Sequence, residues 1–385
     1  MRKQIRFGII GLGLMGKEFA SAAARWCHLL TDGPVPVITA ICNSRTESDR
    51  KWFTDNFPHI DIVTSDYREI IRSELVDAVY CAVPHHLHRD LYIDILQAGK
   101  HLLGEKPFGI DGDANAEIAE TVKSHPELVV KCSSEFPYYP GAKQMIEWIQ
   151  HGNYGRLMEV RCGFHHCSDL DLQKPINWKR QIAYNGEYGC MGDLGFHTQH
   201  IPLRMGWKIK TVFANLQNIA TERPAGKGTS DSHLVPCETW DNAVLLCECA
   251  DPKTGEDFTM TLETKRMAPG QTNTWFIEIY GTEGSARFTT HDPRSIYTLT
   301  TSGKTQGWTR TDIGADFFIP SITGAIFETG LSDALQQMIG AFMAELDGTS
   351  THPFPNGSVD ETVKSHRILT AALRSHASGA KVAVA

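Results

Sequence analysis

The chain predicts an α/β half on a parallel sheet, followed by an α+β half on a large, mostly antiparallel sheet. Three observations lead there. Residues 5–132 alternate short apolar runs with longer amphipathic ones, so strands and helices take turns and the sheet is covered on both faces. Beyond about residue 134, strand-like runs come one after another with few helical ones between. At 385 residues the chain exceeds what one core usually supports. The expected division is a first domain at 1–133 and a second at 134–359, with the final helix, about 360–378, packing back near the first.

In the first half, 5–10 reads as a buried-type strand, 15–30 as a helix, 37–42 as a strand, 66–73 as a short helix and 78–83 as a strand. The helix at 87–98 stops at Gly99, a residue suited to the left-handed turn at a helix end. A short strand at 101–104, a helix at 114–124 and a strand at 129–132 complete the alternation. In the second half, strands are expected at 158–164, 211–220, 243–249, 258–264, 274–280, 286–290 and 295–300. Gly281-Thr282-Glu283-Gly284 suits a hairpin turn between two of them. Helices are expected at 139–151, 197–205, 333–346 and 360–378.

Composition narrows the function. With 41% hydrophobic and 21% charged residues, disorder is not expected, and a formal charge of -8 argues against nucleic-acid or anionic-membrane partners. A small neutral or polar substrate fits better. No apolar run reaches the roughly 18 residues of a membrane span. The 10 cysteines include no CxxC pair, which suits small reduced core residues of a cytoplasmic protein. Export is not expected either, because the glycine-rich turn and Lys17-Glu18 interrupt the N-terminal apolar run before any cleavage site.

The first strand and helix are joined by Gly11, Leu12, Gly13, Leu14, Met15 and Gly16, a GxGxxG spacing. In that context Gly11 makes the tight turn and Gly13 lets the backbone approach a pyrophosphate. Gly16 lets the helix pack on the sheet while its N-terminal N–H groups face the phosphates. These roles imply a dinucleotide cofactor. At the end of the second strand, an NAD-specific domain normally carries an acid for the ribose 2′-OH, whereas here Cys42 runs into Asn43, Ser44 and Arg45. Arg45, helped by Arg50, matches a 2′-phosphate with its planar fork, so the reading is NAD(P) with NADP favoured over NAD. Asn43 can equally bond a plain ribose, and Arg45 can be a solvated helix-start residue.

Three further stretches are distinctive: Gly99-Lys100-His101 running into Glu105-Lys106-Pro107, then Met191-Gly192-Asp193-Leu194-Gly195-Phe196-His197, and Val83-Pro84-His85-His86-Leu87-His88. With the glycine loop, Tyr280-Gly281-Thr282-Glu283-Gly284 and a final helix, this set resembles the Gfo/Idh/MocA oxidoreductases over nearly the whole chain. The resemblance implies a Rossmann domain, an open-faced sheet that forms subunit contacts in a homodimer or homotetramer, and pyridine-nucleotide redox chemistry at a sugar or cyclitol carbon. It also implies that Lys106, Asp193 and His197 line the reacting site, and that Val83, Pro84, His85, His88, Glu105 and Lys106 lie against the cofactor.

The residue chemistry agrees. Histidine suits a base that takes a hydroxyl proton near neutral pH, and His197 shares a helical face with Asp193 four residues earlier if this segment is helical. Lys106 can set an ammonium against the reacting oxygen. Each also admits a structural reading: Asp193 as a helix cap, Lys106 as a surface lysine, His197 as a buried donor to a carbonyl. The cluster His85, His86 and His88 lacks a carboxylate to complete a metal triad, so no metal is expected. His165, His166, Trp178 and Arg180 mix aromatic and polar groups as sugar sites do, and Glu135 and Tyr138 come after the last strand of the first sheet, so all six are substrate-binding candidates. The expected activity is hydride transfer between NAD(P) and a secondary alcohol or ketone of a sugar, glycoside or cyclitol. Two alternatives remain, a glycosidase or lyase of the same fold that oxidises transiently, and a non-catalytic cofactor sensor.

Overall fold

The computed structural model describes residues 2–43, 47–226, 233–301, 304–348 and 352–385. They form two units, one of Met1–Gly109, Asp113–Tyr139 and Gly314–Asp360, the other of Ile110–Gly112, Pro140–Ile313 and Glu361–Ala385. The first is built on β1 (Gln4–Ile10), β2 (Val35–Cys42), β3 (Ile62–Thr64), β4 (Ala78–Cys81), β5 (His101–Gly104) and β6 (Val130–Cys132). All pair in parallel, in the order β3-β2-β1-β4-β5-β6. The chain thus builds outward from β1 to one edge, then returns to the other side of β1, and a crevice opens at the carboxyl ends of β1 and β4.

Helices α1 (Leu14–Ala24), α2 (Glu47–Asn56), α3 (Tyr67–Arg72), α4 (His88–Gln97) and α5 (Gly112–Lys123) punctuate the strands. The first stops well before residue 30 because Trp26–His28 winds into a tighter turn, with the Trp26 indole donating to the Pro34 carbonyl at 3.1 Å. Two elements lie outside the sequence reading. In α2 only Phe53 is buried, so its sequence shows little helical periodicity, and β3 is only 3 residues long.

The second unit contains α6 (Pro140–Gln150), α7 (Ile182–Asn185) and α8 (Cys190–Arg204). Its strands are β7 (Leu157–His166), β8 (Lys208–Gln217), β9 (Glu222–Pro224), β10 (Leu234–Pro236), β11 (Asn242–Ala250), β12 (Asp257–Lys265), β13 (Asn273–Gly281), β14 (Gly284–Thr289), β15 (Ser295–Thr300), β16 (Thr309–Asp312) and β17 (Val382–Ala383). Apart from the β9–β10 ribbon they form one sheet, β16-β15-β14-β13-β7-β12-β11-β8-β17, in which β7 pairs in parallel with β12. Side chains alternate across it. Val160, Cys162, Met260, Leu262 and Ile277 are buried on the side where α8 packs.

The opposite face is not one apolar patch. Phe213 and Leu246 are exposed cross-strand neighbours on it, but beside them runs a charged ladder. Arg161 meets Glu278 at 3.1 Å and Glu263 at 3.5 Å, and Glu263 also takes Lys265 at 2.5 Å. Residues after 313 divide: α9 (Leu331–Asp347) lies in the first unit, whereas most of α10 (Val359–Ser378) lies in the second. There the Ala214 N–H donates to Ser375 at 3.0 Å, and Arg204 grips Glu361 at 2.6 Å.

The loops on either side of α7 and β9 are fastened by buried charge. Arg180, fully buried, pairs with Asp241 and, at 2.6 Å, with Asp169; Asp241 also accepts the Ile219 and Ala220 N–H groups at 2.6 and 2.8 Å. Arg223 donates to the carbonyls of Asp169, Asp171 and Lys174 at 2.5, 2.7 and 3.2 Å. Removing one partner of such a pair strands the other in the interior. We expect Asp241→Ala to lose about 3–5 kcal/mol of stability in urea unfolding; a loss under about 1 kcal/mol would refute this role.

Candidate active site

The glycine loop is shaped as a cradle. Gly11 has φ +96, its N–H donates to the Cys42 carbonyl at 3.0 Å, and a Cβ there would fall 2.2 Å from the Ala82 oxygen, so only glycine fits. At Gly16 a Cβ would meet the Gly11 carbonyl at 2.3 Å. A Cβ on Gly13 would meet nothing within 4 Å, and Gly13 caps α1 with no side-chain bond and no acid in the first turn. Leu12 is buried beneath, while Leu14 stands exposed and Met15 half-buried. The space beside Gly13, at the start of α1 where N-terminal N–H groups gather, fits a pyrophosphate.

At the end of β2, Ser44 and Arg45 lie outside the described residues. Asn43 corrects one premise: a carboxylate does reach this strand end, carried in by α2. The Asn43 amide donates to Asp49 at 3.4 Å, and Asp49 pairs with Lys17 at 2.8 Å. Arg50, expected to help with a phosphate, donates to the Asn43 carbonyl at 2.6 Å.

Past β4, Val83 and Pro84 are half-buried and His85 is buried. His88 is fully buried against Tyr92, with ring centroids 4.8 Å apart. Its Nδ1 accepts the Gly109 N–H at 3.3 Å, so Nε2 carries the proton and donates to the Val83 carbonyl at 3.0 Å. With both nitrogens so used, the ring fixes the Val83 backbone rather than reaching a cofactor.

Glu105 is likewise turned inward. One carboxylate oxygen accepts from Tyr80 and Ser133, each at 2.7 Å, and the Tyr92 hydroxyl donates to the Glu105 carbonyl at 3.0 Å. Beyond it the Lys106–Pro107 bond is cis, Phe108 has φ +70, and the Asn115 amide holds the Phe108 carbonyl at 2.8 Å. The anchored Glu105 leaves Lys106 half-exposed at the carboxyl end of β5. After β6 come Glu135 and Tyr138. Burial pushes the Glu135 carboxyl up to about 7, its own backbone N–H opposing; the Glu105 charge adds to the rise and Lys106 offsets part of it. Tyr138 is a core residue, fully buried against Phe318, His352 and Phe354.

In the second unit α8 begins at Cys190, seven residues before the expected start, so Asp193 and His197 share a face of one helix. Gly189, with φ +58, turns the chain into it, and a Cβ there would lie 2.6 Å from the Trp240 nitrogen. Both side chains are nearly buried. The carboxylate of Asp193 receives the Lys179 ammonium at 2.8 and 3.1 Å and lies 3.4 Å from the Arg266 guanidinium. His197 accepts the Trp275 indole N–H on its carbonyl at 2.9 Å, and its ring stands edge-on to Phe164 with centroids 5.3 Å apart.

Alternation on β7 separates the two histidines. His166 packs on Phe164 at 4.6 Å, on the His197 side. His165 points through the sheet to Glu263, 3.3 Å away, where its hydrogen bond and Lys265 hold the Glu263 carboxyl down at about 2. It therefore does not join the site. Nor does Arg180, sealed in its ion pairs. Trp178 stays half-buried beside Lys179, whose ammonium lies 5.7 Å from the indole centroid. Sequence reasoning missed Lys179 and Arg266 as partners of Asp193: Lys179 was visible in Asn177-Trp178-Lys179-Arg180, but nothing marks Arg266. Among the described residues, no group of three or more His, Cys, Asp or Glu could hold a metal, and no helix is long and apolar enough to cross a membrane.

Residues 5–132 match the family described as "Oxidoreductase family, NAD-binding Rossmann fold", and 142–287 match "GFO/IDH/MocA C-terminal domain". Levoglucosan dehydrogenase of Pseudarthrobacter phenanthrenivorans is 27% identical over 300 residues, 74% of this chain and 74% of the relative. The uncharacterized oxidoreductase YrbE of Bacillus subtilis is 23% identical over 388 residues, 100% of this chain and 98% of its own. A solved levoglucosan dehydrogenase in complex with NADH and levoglucosan shares the fold at TM-score 0.85 and 24% identity, covering 99% of this chain and 100% of that one.

Glu135 gives the first unit a pH signature. Its carboxyl titrates at about 7 in the fold against an ordinary 4.5, so between these values the folded protein holds a proton the unfolded chain has lost. The stability it contributes is full below about 4.5 and is lost as pH rises through 7, to the order of 3 kcal/mol. Glu135→Gln should therefore leave the cofactor-free Tm near wild type at about pH 4 and raise it increasingly toward pH 8. A pH-independent difference in calorimetry would count against the buried carboxyl.

Proposed function

The chain belongs to the Gfo/Idh/MocA oxidoreductase family, and we propose that it is an NAD(P)-dependent dehydrogenase or reductase acting on a secondary alcohol or ketone of a sugar, glycoside or cyclitol. The observation that carries this is the pairing on α8: a nearly buried carboxylate and imidazole one turn apart, beside an aromatic wall, in a chain whose other unit carries the glycine cradle. When bound, a nicotinamide dinucleotide supplies the hydride acceptor or donor. Gly11, Gly13, Gly16 and the N–H groups of α1 would hold its pyrophosphate, and Asn43 would take the ribose. His197 takes the hydroxyl proton as the alcohol becomes a carbonyl and returns it in reduction. Lys106 steadies the charge on the reacting oxygen. Asp193 fixes a substrate hydroxyl or the imidazole, and His166 and Trp178 border the sugar.

The substrate class draws on the relatives' names and on the mixed polar and aromatic lining. For the cofactor, Asp49 opposes a 2′-phosphate, but Lys17 pairs with Asp49 and Arg50 reaches the end of β2, and the sequence following Asn43 carries Arg45. NADP should thus bind at least as tightly as NAD, and Arg45→Ala should weaken NADP alone. A wild-type preference of about tenfold for NAD, roughly 1.4 kcal/mol, would overturn this. A second copy covering Phe213 and Leu246 on the open face would give a homodimer or homotetramer, which light scattering would report; a clean monomer would contradict it.

The deciding experiment tracks cofactor absorbance across a panel of sugars, glycosides and cyclitols. His197→Ala should cut kcat by about 10²- to 10⁴-fold with cofactor affinity unchanged. Lys106→Ala should affect both kcat and KM. Release of an aglycone without net cofactor reduction would replace the dehydrogenase by the eliminating glycosidase. Normal turnover in both variants would end the assignment of these residues.

A further inference from the structure

The turn Trp178–Arg180 is held far more firmly than a lysine-bearing loop requires. Its backbone N–H at Lys179 donates to the Asn177 side chain at 2.9 Å. The Lys179 carbonyl accepts twice, from the Thr239 hydroxyl at 2.7 Å and from the buried Arg266 guanidinium at 3.0 Å. The next residue is Arg180, locked between Asp169 and Asp241. The charged side chain these bonds leave partly exposed is Lys179, 39% exposed, and it ends on both oxygens of Asp193, itself 5% exposed. Arg266 closes the arrangement, because the guanidinium that holds the Lys179 carbonyl also lies 3.4 Å from Asp193. A flexible surface lysine would lose side-chain entropy in such a pairing for little gain. Here the backbone is already fixed, so the side-chain rotamers alone remain to be ordered.

We infer that Lys179 is a positioning residue of the reaction, which keeps Asp193 ionised and aimed along the His197 face of α8. The inference rests on the proposed role of Asp193. Charged groups facing Asp193 include Lys179 from the turn and Arg266 just past the end of β12, with His197 one helical turn along. An ammonium at 2.8 Å favours the carboxylate over the acid. Arg266, at 3.4 Å and engaged with two carbonyls, does not replace it.

The test is a double-variant cycle on the full chain. Lys179→Met should lower kcat about 10- to 100-fold while changing KM by less than about threefold. The acid limb of its kcat/KM profile should move up by about one pH unit, because the carboxylate has lost its cation. Lys179→Arg should restore both in large part. Combined with Asp193→Asn, Lys179→Met should cost little more than Asp193→Asn alone. Independent, multiplying losses, or an acid limb that stays in place, would overturn the inference. Should the wild type oxidise none of the sugars tested, the proposed function fails, and the pair is then judged without substrate: the Tm losses of the single variants should exceed that of the double when summed. Additive Tm losses would dismiss the coupling as well.

Discussion

A guanidinium withdrawn wholly from water has to be answered by carboxylates, and Arg180 is answered by two. Asp169 comes from the loop after β7 and Asp241 from the approach to β11. Because those partners are remote in sequence, satisfying one charge draws the two loops together. Asp241 then uses its other oxygen on the Ile219 and Ala220 N–H groups, and Arg223 takes three carbonyls of the first loop. The next stretch of chain inherits this placement. The turn before α7 is pinned, Gly189 swings the backbone at φ +58, and α8 starts where Asp193 and His197 fall on one face.

The first unit solves a similar problem with the opposite charge. Glu105 is buried and accepts two hydroxyls, and its backbone is held by Cys81 and Tyr92. The result is a rigid step at the end of β5 from which Lys106 projects. In both units a buried charged residue anchors the chain while its sequence neighbour stays partly exposed: Glu105 with Lys106, Arg180 with Lys179. The histidines on β7 show the same division by a different cause, since strand alternation alone sends His165 to Glu263 and His166 toward Phe164.

Anchoring of this kind decides what could be read from the sequence. The glycine loop was legible because its requirements are backbone requirements: a positive φ at Gly11 and a close approach at Gly16 leave no other residue possible. Asp193 and His197 stood out through the motif that carries the resemblance, and their four-residue spacing puts them on one face only because α8 begins at Cys190, before the expected start. The resemblance puts Glu105 and His88 at a cofactor, chain position puts Tyr138 at a ligand and chemical type puts His165 and Arg180 there, but which way a side chain turns depends on partners such as Tyr80, Gly109, Phe354, Glu263 and Asp241. Those partners come from other elements. Asp49 and Arg266 were invisible for the same reason, arriving at Asn43 and Asp193 from elsewhere in the chain.

Glu135 shows how such placement sets electrostatics as well as geometry. It stands at the carboxyl end of β6, next to the strand that leads into Glu105 and Lys106, and it is almost without solvent. Two carboxylates share one cation there. Burial is the main reason the Glu135 carboxyl holds a proton up to about 7, and the nearby Glu105 charge adds to the rise while Lys106 offsets part of it. Protonated, Glu135 adds no charge beside Lys106; ionised, it adds one. The net charge around the Lys106 ammonium therefore changes near neutral pH through a residue other than histidine. Any group whose charge Lys106 meets would feel that change in a region of low dielectric, where water screens it least.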